Sequence, residues 1–362
     1  MKDPALPALA GTRPILVTGG AGFIGSNLAD RLAQEGHAVL IYDALLRPGV
    51  EANLDWLKRR HPRRISTCIA DIRDADAVAT AVAEAQAVFH LAGQVAVTTS
   101  LADPRLDFEV NLAGTFHLLD ALRRRHVPVP LVFASTNKVY GDLADIVLDQ
   151  VDDAYLPQDR ALRATGIGEG RSLDFHTPYG CSKGAADQYV LDFGRSYDIP
   201  TAVLRMSCIY GQRQMGTEDQ GWVAHFLIRA LRGEPISIYG DGRQVRDVLD
   251  VGDAVAAYLQ AWRRIGEVRG RAFNLGGGPA NAISLRQLIA HIGALLGHTV
   301  ETHHGDWRAG DQRYYVSDMR RLQAALDLPA TRPWREGVAS LAEWLRGHAG
   351  VRAPVQVEAL AP

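Results

Sequence analysis

The chain has 362 residues, of which 47% are hydrophobic and 22% charged, with a formal net charge of −2; this is the composition of a globular protein with room for one large or two ordinary domains. A charge so near zero gives no basic field for nucleic acid or an anionic membrane, and no apolar run reaches the length of a membrane span. Three widely spaced cysteines, Cys68, Cys181 and Cys208, suggest neither a disulfide framework nor a zinc site, and no metal-ligand cluster is visible.

Residues 1–14, MKDPALPALAGTRP, read as a frayed tail and not a signal peptide, so a reducing cytoplasm is the default. Ile15 to Thr18 is a short β-branched run, followed by Gly19, Gly22 and Gly25 in the pattern GxxGxxG. Phe23 and Ile24 stand inside that turn, and Ser26 to Gln34 is an amphipathic helix stopped by Gly36. Ala38 to Tyr42 is a second strand ending on Asp43. Strand, glycine turn, helix, strand and acid together predict a dinucleotide site, with pyrophosphate on the free N–H groups of the helix N-terminus. Asp43 lies eighteen residues past Gly25, where a carboxylate takes the ribose hydroxyls and repels a 2′-phosphate, which selects NAD over NADP.

A loop and short helix follow, then a strand at Ile65 to Ala70 closed by Asp71-Ile72. A helix at Ala75 to Glu84 precedes a strand at Ala87 to Leu91, which ends in Ala92-Gly93. Leu106 to Arg125 reads as one long helix containing Asn111, and Leu131 to Ala134 as a strand running into Ser135-Thr136-Asn137-Lys138. This alternation predicts an α/β fold, a doubly wound parallel sheet with helices on both faces, whose strand ends (Asp43, Asp71, Ala92-Gly93, Thr136) share one crevice.

Asp142 to Thr177 is polar and irregular, longer than most connections, and reads as a functional loop. Tyr179-Gly-Cys-Ser-Lys183 opens a helix to about Arg195, and Thr201 to Met206 is a strand. Beyond Gly211 the alternation breaks. Helices are expected at Trp222 to Arg232, Asp253 to Arg264, Leu285 to Leu296 after a Ser284 cap, and Gly337 to Leu345. Strands are expected at Ile236 to Tyr239, after GDGRQVRD, and at Ala272 to Leu275. The expected organisation is a cofactor domain over 13–206 and a smaller domain over 207–350, with part of 244–276 returning to the large sheet.

Tyr179 and Lys183, four apart on a helix, share a face. A tyrosine, with a pKa of about 10, is a poor base at neutral pH. A neighbouring ammonium, with the positive ring of NAD, favours its phenolate. Tyr179 then accepts a hydroxyl proton, Lys183 holds the nicotinamide ribose, and Thr136 hydrogen-bonds the substrate oxygen. The alternative is an ordinary surface Tyr-Lys pair.

GGAGFIG, Asp43, ADIRD, HLAG, STNKVYGD, PYGCSK and QVRDVLDVGD together resemble the extended short-chain dehydrogenase/reductase family, from Pro14 to about Arg346. Within it STNKVYGD, GQRQMGTEDQGWVAHF, GDGRQVRD and GDWRAGDQRYYVSD are similar to the CDP-paratose 2-epimerase (CDP-tyvelose epimerase) group of nucleotide-sugar epimerases. The resemblance implies a Rossmann-type fold, a tightly held NAD, and a nucleotide-sugar bound by the C-terminal domain. It implies that Gly19, Gly22, Phe23, Ile24, Gly25 and Asp43 form the cofactor fingerprint. Asp71 and Ile72 hold adenine, and Leu91, Ala92 and Gly93 make the pyrophosphate and ribose turn. Thr136, Tyr179 and Lys183 match the catalytic set, and Arg246 and Arg308 match arginines that clamp the diphosphate. The alternative for each arginine is a surface ion pair, for Arg246 with Asp247.

Sugar 4,6-dehydratases of this family carry an Asp-Glu pair after the threonine to eliminate water. Asn137 and Lys138 stand there instead, which favours epimerisation. These two either contact the sugar or, for Lys138, pair with an acid such as Glu169. Glu169 and His176 are within the loop before Tyr179 and so within reach of the sugar, while a solvated side chain is the plainer reading of His176. Cys208 is either near the nicotinamide or an inert buried thiol. The expected reaction proceeds through a transient keto-sugar, at C2 by this resemblance. The alternatives are a UDP-glucose 4-epimerase-like activity and a non-catalytic NAD-binding regulatory protein. Family members dimerise through two helices per subunit; Leu112, Phe116 and Leu119 give the first candidate helix an apolar face, which equally suits core packing.

Overall fold

The computed structural model describes residues 13–308 and 310–348. The expected tail falls almost wholly outside them, as do the last two residues of the expected second domain. The first half runs β1 (Ile15–Thr18), α1 (Phe23–Gln34), β2 (Val39–Asp43), α2 (Val50–Arg60), β3 (Ile65–Ile69), α3 (Ala75–Ala83) and β4 (Ala87–His90). Then come α4 (Val97–Ala102), α5 (Pro104–Phe108), a π-helical turn at Glu109–Ala113, α6 (Gly114–Arg123) and β5 (Leu131–Thr136). After a 3₁₀ turn at Asn137–Tyr140 the chain forms β6 (Leu148–Val151), β7 (Ala154–Pro157), α7 (Arg160–Thr165), α8 (Thr177–Ser196), β8 (Thr201–Met206) and β9 (Cys208–Tyr210). The remainder is α9 (Trp222–Leu231), β10 (Ile236–Tyr239), β11 (Val245–Asp250), α10 (Val251–Arg263), α11 (Ile265–Val268), β12 (Arg271–Leu275) and β13 (Ala282–Ser284). It closes with α12 (Leu285–Leu296), β14 (Thr302–Gly305), β15 (Tyr314–Tyr315), α13 (Arg320–Leu326) and α14 (Trp334–His348).

Seven strands form one parallel sheet in the order β12-β8-β5-β4-β1-β2-β3. Side chains alternate across it. Ile15, Val17 and Phe89 pack with α1, α2 and α10, whereas Leu16, Val88 and Phe133 pack with α3, α6 and α8. A sheet covered on both faces needs apolar residues at nearly every strand position, which is why these strands read as continuous apolar runs. The chain leaves β1 toward β2 and β3, then returns to β4 on β1's other side. Ligands of such sheets bind in the crevice this reversal opens at the strands' carboxyl ends.

A second core gathers Tyr210, Val223, Leu227, Ile236, Ile283, Leu288, Val338 and Leu345. Around it β11 pairs with β9, β13 and β15, and β10 pairs with β14. The connection expected to be irregular over 142–177 is a correction: it contains the antiparallel β6–β7 hairpin and α7. The strand β6 lies largely in solvent, so it carries no apolar alternation to announce it. The expected helix Leu106 to Arg125 is also corrected: a π-turn interrupts it at Glu109–Ala113, a local widening of the helix that is frequent at functional sites. Of its expected apolar face, Leu119 is fully buried in the sheet core while Phe116 stays exposed against Tyr189 and Phe193.

Candidate active site

The glycine turn is built for close approach. Gly19 has φ +68°, and a Cβ there would meet the Ala92 nitrogen at 2.7 Å; one on Gly25 would meet the Gly19 oxygen at 2.1 Å. Neither position tolerates a side chain. Gly22 caps α1 with no side-chain hydrogen bond, and no acid stands in the first turn, so the helix's free N–H groups face the crevice uncompensated. Phe23 and Ile24 begin that helix and line the cavity described below. Asp43, at the end of β2, accepts from Ala21 N (3.0 Å) and Leu45 N (2.9 Å). Each oxygen keeps a lone pair for a further donor.

On the other side of β1, Leu91 N bonds Thr18 O at 3.1 Å and Ala92 N bonds Thr18 Oγ1 at 3.2 Å, which fixes the Leu91-Ala92-Gly93 turn over the glycine loop. Asp71 caps Arg73 through backbone and guanidinium, and its carboxyl is held below its ordinary range mainly by that arginine. The Ile72 side chain is buried beneath Gly114, which leaves only its backbone available to a ligand. These features suit a dinucleotide: a bare helix N-terminus, a side-chain-free turn and an acid at the second strand's end.

A cavity of ≈ 460 Å³ opens beside this crevice, within the range of ligand sites of about 300–1,000 Å³. Thr136, Asn137, Lys138, Tyr179, Cys208, Arg246 and Arg308 all line it. Thr136 ends β5; its hydroxyl interacts with the Tyr179 phenol and accepts from Lys138 N at 3.2 Å. Lys183, one turn along α8, gives its ammonium to Ala134 O at 2.6 Å and lies 4.3 Å from the Phe133 ring centroid. Burial holds the Tyr179 phenol up at about 12, against the influence of the Thr136 hydroxyl, and brings the Lys183 ammonium down to about 8. In the protein alone desolvation outweighs the charges around the phenol; the expectation counted in addition the positive nicotinamide ring.

Lys138 does not pair with Glu169; its Nζ donates to Gly310 O at 3.0 Å. Arg246 does not pair with Asp247 but with Asp311, at 2.6 Å. Asp247 is fully buried and spent on Ser207, Gly278 N and Ser317 N. Arg308 lies over the Tyr239 ring and beside Glu218 and Asp219. Glu169 is drawn away to Asn274 N and Arg321, and His176 sits between Asp142 and Asp174 at the foot of α8; neither lines the cavity. Cys208 does line it, with its thiol pushed up by burial.

Several working neighbours had no local signal. Asp107, fully buried, accepts from Ser182, Gln94 (2.9 Å) and Asn111 (3.1 Å), and so ties the π-turn to the start of α8. Arg47 interacts electrostatically with both Asp43 and Tyr179. Residues 212–213 strap the cofactor half. Asn27 donates to Gln212 O at 3.1 Å, Asn53 bridges Ala21 O (3.2 Å) and Arg213 O (3.3 Å), and Arg213 stacks on Trp56. Among the described residues no helix is long and apolar enough to cross a membrane, and no group of three or more His, Cys, Asp or Glu is placed to hold a metal.

Residues 15–276 match the model of the NAD dependent epimerase/dehydratase family. The chain is 38% identical over 337 residues to a CDP-paratose 2-epimerase of Salmonella typhi, covering 91% of this chain and 98% of that one. It is similar to the crystal structure of UDP-glucose 4-epimerase with UDP-glucose from Thermotoga maritima, with 30% identity, TM-score 0.79 and coverage of 92% and 99%. It is equally similar in extent to the Thermus thermophilus UDP-glucose 4-epimerase complex with NAD, at 30% identity, TM-score 0.77 and the same coverage.

Proposed function

This chain belongs to the NAD-dependent epimerase/dehydratase family, and from that premise we propose that it inverts C2 of a CDP-linked sugar through a transient ketone. The observation that carries the reading is the composition of one cavity wall: Thr136 and Tyr179 face a space in which Asn137 and Lys138, and no acid, follow the threonine. Oxidation and reduction at a secondary alcohol need a proton acceptor at oxygen. Elimination needs in addition a carboxyl acid at the leaving group, and neither position after the threonine supplies one. The similarity to a CDP-paratose 2-epimerase supports the cytidine base and C2. The similarity to UDP-glucose 4-epimerase supports a second reading, inversion at C4 of a UDP-sugar.

NAD, when bound, supplies the electron-pair acceptor that makes oxidation to the ketone and its reversal possible on one enzyme. Gly19, Gly22, Gly25 and the Leu91-Ala92-Gly93 turn hold its pyrophosphate, Asp43 the adenosine ribose, and Asp71 with the Ile72 backbone the adenine. Tyr179 takes the sugar hydroxyl proton and later returns it. Thr136 positions that oxygen beside the phenol. The Lys183 ammonium, with donors left after Ala134, holds the nicotinamide ribose and keeps positive charge beneath the tyrosine. Arg246 and Arg308 bind the diphosphate, for which a guanidinium fork is suited. Residues 13–206 thus serve the cofactor and 207–350 the nucleotide-sugar, in a cytoplasmic homodimer whose contact is the exposed patch of Phe108, Phe116, Tyr189 and Tyr197.

The test is to incubate the purified protein with CDP-, UDP-, GDP- and dTDP-linked glucose and deoxyglucose and follow the sugar protons by NMR. A change of coupling at H2 of a CDP-sugar is expected. Inversion of C4 of a UDP-sugar alone would replace this reading with the second.

A further inference from the structure

Lys138 is a lysine placed where a lysine is costly. It is half-buried in the cavity wall, and its ammonium makes one hydrogen bond among the described residues, to Gly310 O. An ammonium has three donors, so two remain for the cavity. The guanidinium of Arg246 is close enough to repel it, and Asp311 answers Arg246 with a 2.6 Å ion pair. Asp311 is engaged by Arg246, and Asp142 bears on Lys138 through its charge without pairing with it, so the lysine's two free donors are open to an anion in the cavity.

The position of that charge carries the inference. Lys138 leaves the turn capped by Thr136, and Lys138, Thr136 and Tyr179 line one cavity. A phosphate held by Lys138 therefore lies close to the reacting oxygen. In a sugar nucleotide the sugar-proximal phosphorus is separated from C2 only by C1 and the bridging oxygen, whereas C4 lies across the ring. Resting on the nucleotide-sugar reading above, we propose that Lys138 binds the sugar-proximal phosphate and thereby sets C2, not C4, against Tyr179. Arg246 supports the same phosphate from the side, and Arg308, away against Tyr239 and Glu218, serves the nucleotide end.

The test uses full-length, NAD-loaded protein and the Lys138→Met and Lys138→Arg variants, with NAD content and melting temperature checked for each. Binding of CDP and CMP, and of UDP and UMP, is titrated calorimetrically. Only the diphosphates carry the phosphate assigned to Lys138. Wild type should favour diphosphate over monophosphate by about tenfold or more, the scale of a charge-assisted hydrogen bond. Lys138→Met should lower that ratio by about tenfold, the scale of one charge-assisted hydrogen bond, while leaving monophosphate binding unchanged, and Lys138→Arg should restore much of it. An unchanged ratio in Lys138→Met, or equal weakening of both nucleotides, overturns the assignment. The same ratio collapsing for uridine but not cytidine nucleotides keeps Lys138 as phosphate ligand and refutes the cytidine reading instead. In turnover, Lys138→Met should lose about a hundredfold in kcat/KM at C2. Wild-type inversion confined to C4 overturns the claim that this lysine sets the C2 register.

Discussion

Lys183 reaches through the protein to the carbonyl of Ala134, 2.6 Å away, and so carries its charge beneath the sheet end on which Thr136 stands. Burial lowers its pKa to about 8, while Asp187 and Asp107 oppose that fall. Below that value the lysine is an ammonium; above it the charge, and its help to Tyr179, is lost. Turnover should therefore decline as pH rises through about 8, with cofactor still bound. A profile flat to about pH 9.5 would show that Lys183 does not act through its charge.

Tyr179→Phe removes one hydroxyl and keeps the ring that fills the buried site. The variant should fold and retain NAD, and lose turnover by about 10²–10⁴-fold, the usual worth of a general acid–base group. A loss under about tenfold, measured by product NMR, would remove Tyr179 from the role.

The strap at residues 212–213 gives a prediction about cofactor retention. Arg213 stacks on Trp56, and Asn53 ties Arg213 O to Ala21 O in the glycine turn. Arg213→Ala should leave the fold intact and speed NAD loss during dialysis by roughly threefold to thirtyfold, the range expected for a cation–π contact. Unchanged retention would mean that the strap is only a domain contact.

Phe108, Phe116, Tyr189 and Tyr197 are each more than 40% exposed, on α5, α6, α8 and the residue after it. A dimer formed there should show twice the mass of the 39.4 kDa chain by light scattering at micromolar concentration. Phe116→Glu should dissociate it. A monomeric wild type would contradict this interface.

The glycine turn, Asp43 and the Tyr179–Lys183 spacing were legible because their chemistry is local: a turn, a strand end, one helix face. The capping of α12 by Ser284 was legible for the same reason, and Gln287 completes the capping box. The partners of Lys138 and Arg246 were not, since Gly310 and Asp311 lie far along the chain and only the folded loop brings them back. Asp247, adjacent to Arg246, looked a natural partner, but strand alternation turns neighbours to opposite faces. The π-turn left no mark on the apolar periodicity, because the extra residue is accommodated around Asn111, whose side chain binds Gln94, Asp107 and Ser182. The pKa of Tyr179 also escaped the sequence, because burial, not the neighbouring lysine, dominates it.

The central claim is that the inverted carbon loses and regains its own hydrogen within one turnover. Deuterium placed at C2 of the CDP-sugar and followed by NMR during epimerisation in ordinary water tests it most directly. The account predicts that the label stays on C2 of the inverted product, with no net demand for fresh NAD. Washout of the label into solvent would contradict it, since a base stripping a carbon-bound proton would then be doing the chemistry in place of Tyr179 acting at oxygen.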